Sequence, residues 1–194
     1  SSCMENPALS SPNGEPVPMD GEFFVLSRHG ISFSAKSGSW KGDGRGSLYL
    51  STLRIVFVAR RGGGSCESFD LPLATMRNEK FNQPIFGANN MSGTNEPLPG
   101  GLTEEIKWTL TFKEGGVGTF LPLFFRLVQE MRQRMARESQ PQYEHNFAAP
   151  PVAQAVVQQM VGAAYVDPSD PTKLYVSQPV AQSNIPVATA VPTQ

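Results

Sequence analysis

The sequence predicts a mainly-β domain of about seven short strands closed by one amphipathic helix, with extensions at both ends that lack the makings of a core. Three observations carry this. EIKWTLTFK, Glu105 to Lys113, alternates strictly: Ile106, Trp108, Leu110 and Phe112 point one way, and Lys107, Thr109 and Thr111 the other. That period of two belongs to a half-buried strand. From Thr119 to Glu138 the period changes, and Phe124, Leu127, Val128, Met131 and Met135 form one stripe at helical spacing. Residues 139–194 then hold four charged side chains and eight prolines in 56 positions, a Pro/Ala/Val/Gln-biased composition that predicts a disordered tail.

The elements follow in order. Residues 1–19, rich in Pro and Ser, predict a flexible lead-in, and residues 20–138 the folded domain. EFFVL (Glu22 to Leu26) and GISFSA (Gly30 to Ala35) predict strands separated by a turn at Ser27 to His29. SGSWKGDGRGS, Ser37 to Ser47, predicts a Gly-rich loop. Ser47 to Arg61 holds two strands rich in β-branched and aromatic residues, broken at Ser51-Thr52, and Gly62 to Ser65 predicts a turn before a strand over Cys66 to Leu73. Ala74 to Asn82 can extend the sheet. In the helix, Thr119 is the expected cap, Pro122 fits a first turn, and Arg132, Arg134 and Arg137 suit the C-terminal dipole. Within the tail, 139–194, the pattern of Val152 to Ala164 allows a short helix that forms on a partner.

Composition narrows the function. The net charge of −1 splits into +3 for residues 20–138 and −2 on either side, too balanced to argue for nucleic-acid binding by charge alone. Two cysteines, Cys3 and Cys66, make neither a disulfide framework nor a zinc site. No apolar run reaches the ~18 residues of a membrane helix, and the N-terminus, which starts at Ser1, lacks a secretory pattern. An intracellular, soluble protein is the expectation from these features.

Chemistry-bearing patterns are few. WKGDGRGS and RRGGGSC lack both the G-K-[ST] ending of a phosphate loop and the G-x-G-x-x-G opening of a dinucleotide site. His29 falls in the expected turn and His145 in the tail, neither at metal or triad spacing, and Cys66 suits a small core residue. No motif demands a cofactor, and a non-enzyme is expected. The basic residues offer one candidate site. Lys36, Lys41 and Arg45 lie in the expected loop and Arg60-Arg61 end a neighbouring strand, so Lys41, Arg45, Arg60 and Arg61 on one rim would form a modest anion or lipid-headgroup site; ordinary solvated loop charge is the alternative.

Four stretches, taken together, carry a resemblance: GSLYLSTLRIVFVA (Gly46 to Ala59), SFDLPLATM (Ser68 to Met76), NQPIFGANNMSGT (Asn82 to Thr94) and WTLTFKEGGVGTF (Trp108 to Phe120). Over about residues 20–138 the chain resembles the GRAM domain of the WW-domain-binding protein 2 family. The resemblance implies a pleckstrin-homology-like fold, a bent antiparallel sandwich capped by a C-terminal helix. NQPIFGANNMSGT is then a corner: Pro84 withdraws a ladder donor, Ile85-Phe86 anchors into the core, Gly87 and Gly93 let the chain change direction, and the Asn side chains satisfy backbone groups. The resemblance further implies an adaptor, a transcription coactivator associated with chromatin that binds WW-domain proteins through Pro-Pro-x-Tyr. This tail departs from that motif, since Pro150-Pro151 is followed by Val152-Ala153 and Tyr143 sits in QPQYEH; Tyr143, Pro150 and Pro151 are the candidate tail contacts. A peripheral phosphoinositide-binding module is the alternative function.

Overall fold

Why the chain forms one curled sheet is visible in its longest strands. The computed structural model describes residue 9, residues 14–139, and the short segments 164–166 and 174–176. Strand β1 runs from Phe24 to Ser37, β2 from Trp40 to Ser51, β3 from Arg54 to Gly64 and β4 from Ser68 to Pro72. A single 3-10 turn, Leu73–Thr75, leads into β5 (Met76–Asn82), followed by β6 (Asn90–Asn95) and β7 (Ile106–Phe112). All seven pair antiparallel in the order β4-β3-β2-β1-β7-β6-β5. Helix α1, Val117–Glu138, packs against the 3-10 turn. This is the mainly-β, helix-capped body expected.

The core lies inside the curl. Phe33 stacks on Phe57 with ring centroids 4.8 Å apart and also meets Phe69, which in turn meets Trp40. The helix contributes Phe120 and Phe124, buried with Leu127, Val128 and Met131, and Phe120 packs on Phe112 of β7. Met135, expected on the same stripe, is 36 % exposed. The alternation of β7 is as expected: Ile106, Trp108, Leu110 and Phe112 are all buried. Across the open edge, the Trp108 indole N–H donates to Asn95 Oδ1 at 2.8 Å, and Asn95 Nδ2 donates to the Pro72 carbonyl and to Thr75 Oγ1. Buried Asn95 thus ties β6 and β7 to the other end of the sheet.

Several expectations are corrected. Ser27 to His29 is no turn: β1 is continuous, with a register shift between Arg28 and Ile31 where Gly30 takes φ +66°. Such a bulge bends a strand without ending it. The Gly-rich stretch Ser37 to Ser47 is mostly strand β2, and only the two-residue connection Gly38-Ser39 turns. Its glycines are there for packing, since a Cβ at Gly42 would meet the Trp40 ring and one at Gly44 the Phe57 ring. Strand β3 likewise continues into Gly62 to Gly64. Cys66 precedes β4 instead of lying in it, and is buried with its thiol directed at the Ser68 carbonyl. Helix α1 begins at Val117 with Gly116 as its N-cap at φ +84°, so Thr119 lies inside it, and Pro122, past the first turn, has no N–H to give the Gly118 carbonyl.

The corner is also redrawn. Half of NQPIFGANNMSGT is strand, and the turn proper is Gln83 to Asn89. Gly93 lies mid-strand, where a Cβ would run into the Trp108 indole. Ile85 and Phe86 do not enter the core; they are 92 % and 91 % exposed at the tip of the β5–β6 hairpin. The Asn pair closes the hairpin base side chain to side chain, Asn82 Nδ2 donating to Asn90 Oδ1.

At the N-terminus, the expected flexible lead-in is in part built into the body: Pro16 is buried and the Val17 carbonyl accepts from Arg54. In the tail, β8 (Ala164–Val166) pairs antiparallel with β9 (Leu174–Val176), and β9 lies against β1. Tyr143, Pro150, Pro151, and the expected helix up to residue 163 lie outside the described residues.

Candidate functional site

The outward face of the sheet is where charge gathers, and strand register decides how. Lys36 of β1 is paired on one side with Lys41 of β2 and on the other with Lys107 of β7. Lys107 is opposite Thr94 of β6, and Thr94 is opposite Arg77 of β5. One row across five strands therefore carries four cations. The next row inward reads Asp43, Ser34, Thr109, Ser92 and Lys80, and the third Arg45, Ser32, Thr111, Asn90 and Asn82. Alternation explains it on β1, β2, β6 and β7, where the residues between these are the buried ones and the outward positions of the three rows are left polar.

Two hollows mark this face. The first, about 560 Å³, is bordered by Lys36, Lys41 and Lys107 over Ser34, Ser92 and Thr94. Asn78, held at φ +58° and donating from Nδ2 to Thr94 Oγ1, shapes its far wall by shifting the β5 register. Asp43, on the same border, accepts from Ser65 Oγ at 2.9 Å. The second hollow, about 490 Å³, is bordered by His29, Arg45, Arg60 and Lys113, with Glu114 beside them. His29 Nδ1 lies 3.0 Å from Ser47 Oγ there.

The four cations singled out in the sequence do not share one rim. Lys41 borders the first hollow, Arg45 and Arg60 the second, and Arg61, though exposed, borders neither. The reason is the extra length of β2, which sets Lys41 and Arg45 four residues apart on one strand instead of together in a loop. Lys107 of β7 and Lys113 just after it carry no site signal in the sequence, because Glu105 to Lys113 reads as an ordinary alternating strand until its register is known.

Comparison with known proteins bears on the body. No protein-family model matches the chain. A stress-induced protein of Schizosaccharomyces pombe is 38 % identical over 90 residues, 46 % of this chain and 52 % of that protein. Human WW domain-binding protein 2 is 35 % identical over 83 residues, 42 % of this chain. The postacrosomal sheath WW domain-binding protein of Macaca fascicularis is 30 % identical over 95 residues. The resemblance to the WW domain-binding protein 2 family stands. The chain spans about half the length of the yeast relative and only 31 % of the human one. Among solved structures, the N-terminal PH domain of Vps36 matches at a TM-score of 0.51 and 16 % identity, over 66 % of this chain and 95 % of that one. The fold is PH-like.

In this WW domain-binding protein 2-like body, the arginine of the LYLSTLR stretch has a structural task. Arg54 Nε and Nη2 donate to the two oxygens of Glu22 at 2.8 and 3.0 Å, Nη1 donates to Asp70 Oδ2 at 2.8 Å, and Nη2 also reaches the Val17 carbonyl. Ser51 Oγ donates to Glu22 Oε1. Burial alone would draw the guanidinium pKa down, but hydrogen bonds and charge from Glu22 and Asp70 hold it above its ordinary value. Arg28, buried where it donates to the Ser27 and Gly116 carbonyls, is drawn down by burial. Both brace the fold and neither faces a hollow.

Chemically, the outer face can hold anions and present hydroxyls. Among the described residues no group of three or more His, Cys, Asp or Glu is placed to hold a metal ion, and no helix is long and apolar enough to cross a membrane.

Proposed function

We propose that this protein is a non-enzymatic adaptor: the PH-like body docks, and the Pro-rich tail recruits regulatory partners, acting in nucleus and cytoplasm as a transcription coactivator associated with chromatin. One observation supports it above others, the match of the PH-like body to relatives that are themselves named as WW domain-binding proteins. The tail would act through Tyr143 and Pro150-Pro151, in an extended form suited to aromatic grooves. Co-precipitation from nuclear extract with the full chain and with a chain lacking Ser139 to Gln194 tests this. Loss of transcription-linked partners with the tail is the expected result, and identical partner sets would remove the recruiting role.

A second reading, a peripheral phosphoinositide-binding module, draws on the lysine row. Like charges directly opposite on neighbouring strands cost roughly 0.2–1 kcal/mol a pair, and a bound phosphate would relieve two such pairs at once. Vesicle sedimentation discriminates the sites: Lys36→Glu with Lys41→Glu and Lys107→Glu should abolish phosphoinositide binding, whereas Arg45→Glu, Arg60→Glu and Lys113→Glu should abolish it if the second border is responsible.

A further inference from the structure

The β5–β6 tip stands apart from the rest of the surface. Ile85 and Phe86 are more than nine-tenths exposed, whereas Met19, the next most exposed large apolar side chain among the described residues, is 47 % exposed. A phenylalanine left in water at this level forgoes burial of some 150–250 Å² of side chain, so the tip is apolar where folding gives it no reason to be. The stretch Asn82 to Asn90 contains no charged residue.

Its base is held in place. Asn82 donates to Asn90 across the hairpin, and the Phe112 N–H donates to the Asn89 carbonyl at 2.9 Å. The following residue, Lys113, donates its N–H to Gly30 at 2.8 Å, which sets the second hollow beside the root of the hairpin. Arg45, Arg60 and Lys113 thus lie at the end of the sheet from which the uncharged tip projects, against the single carboxylate of Glu114 on that border.

We propose that the tip is a membrane-inserting wedge: Ile85 and Phe86 enter the boundary between headgroups and acyl chains of an anionic bilayer, while Lys113, Arg45 and Arg60 draw in its lipid phosphates. Charge complementarity decides the occupant. An anionic membrane offers an apolar layer about 5–10 Å below a negative one, and the hairpin presents an apolar point ahead of a positive hollow. Insertion of two side chains without directional bonds also needs no shaped partner pocket. The proposal is independent of the lysine row and goes beyond the adaptor role.

The test uses the full chain and phosphatidylcholine vesicles with and without phosphatidylserine. Binding to the phosphatidylserine vesicles is expected, and Ile85→Ser with Phe86→Ser should lower the partition coefficient about 30-fold or more. The melting temperature of that variant should be unchanged, because both side chains lie outside the core. A Phe86→Trp variant should show blue-shifted emission on adding vesicles, and should keep the shift when Lys36, Lys41 and Lys107 are all replaced by Glu. Absence of binding, equal binding by the double Ser variant, or an unshifted emission would overturn the wedge. A concentration-dependent dimer lost in the double Ser variant would assign the tip to a second copy instead.

Discussion

At the scale of single residues, the most consequential group is one that touches no hollow. Arg54 is buried among Glu22, Asp70 and the Val17 carbonyl, and its loss leaves two carboxylates without their cation. Breaking a buried pair by removing one partner costs about 3–5 kcal/mol, so Arg54→Met should shift the urea midpoint sharply, and pairing it with Glu22→Gln should recover part of the loss. Gly93 makes a different demand. Any Cβ there meets the Trp108 ring, whose indole is fixed by Asn95, so Gly93→Ala should destabilise by about 1–3 kcal/mol through overpacking. Tyr49 gives a pH signature. Burial, then the negative charge of Glu15, raises its phenol pKa above the ordinary 10.0. The folded state therefore holds the proton longer than the unfolded chain. This contribution is fully present below pH 10 and is lost as pH rises from there through the raised folded value. Tyr49→Phe should remove that part of the alkaline slope in a stability titration.

At the scale of elements, helix α1 acts as a lid whose underside is aromatic. Phe120 and Phe124 stack on one another, and Phe120 on Phe112, so Phe124→Ala should cost about 3–5 kcal/mol, read by thermal unfolding. Phe125, 44 % exposed on the neighbouring position, should tolerate the same change within about 0.5 kcal/mol. These two outcomes follow from periodicity that the sequence already displays, and β7 is legible for the same reason: each of its side chains announces its face. Strand β2 is not legible that way. Its glycines leave the inward positions to the rings of Trp40, at its own start, and Phe57 of β3, so the side chains that fill the space are not those at the positions themselves. Ile85-Phe86 misleads in the opposite sense, since apolarity signals burial only where the backbone turns inward. The lysine row is invisible for a third reason. Lys36, Lys41 and Lys107 are ordinary outward residues of three strands, and only the pairing of β2, β1 and β7 puts them abreast.

At the scale of the whole molecule, the body extends further toward the N-terminus than composition suggests. A boundary at Asp20 would cut between Glu22 and the residues that surround it. The Met19 N–H donates to Glu22 Oε2 at 2.7 Å, its carbonyl accepts from the Glu22 N–H, and the Val17 carbonyl completes the set around Arg54. A chain beginning at residue 20 therefore leaves a buried guanidinium short of one acceptor and a buried carboxylate short of one donor. Each such deficit costs about 1–3 kcal/mol. A fragment of residues 20–138 should then melt several degrees below one of residues 14–138, at roughly 4–8 °C for each kcal/mol lost in a domain near 100 residues. Because the cluster is buried, added salt should leave the difference in place, whereas a surface attraction would fade within a Debye length of ~10 Å at 0.1 M. Equal urea midpoints for the two fragments would show that the segment merely lies on the body, and a gap that closes with salt would move its contribution from the Arg54 cluster to a half-buried charge such as Glu15.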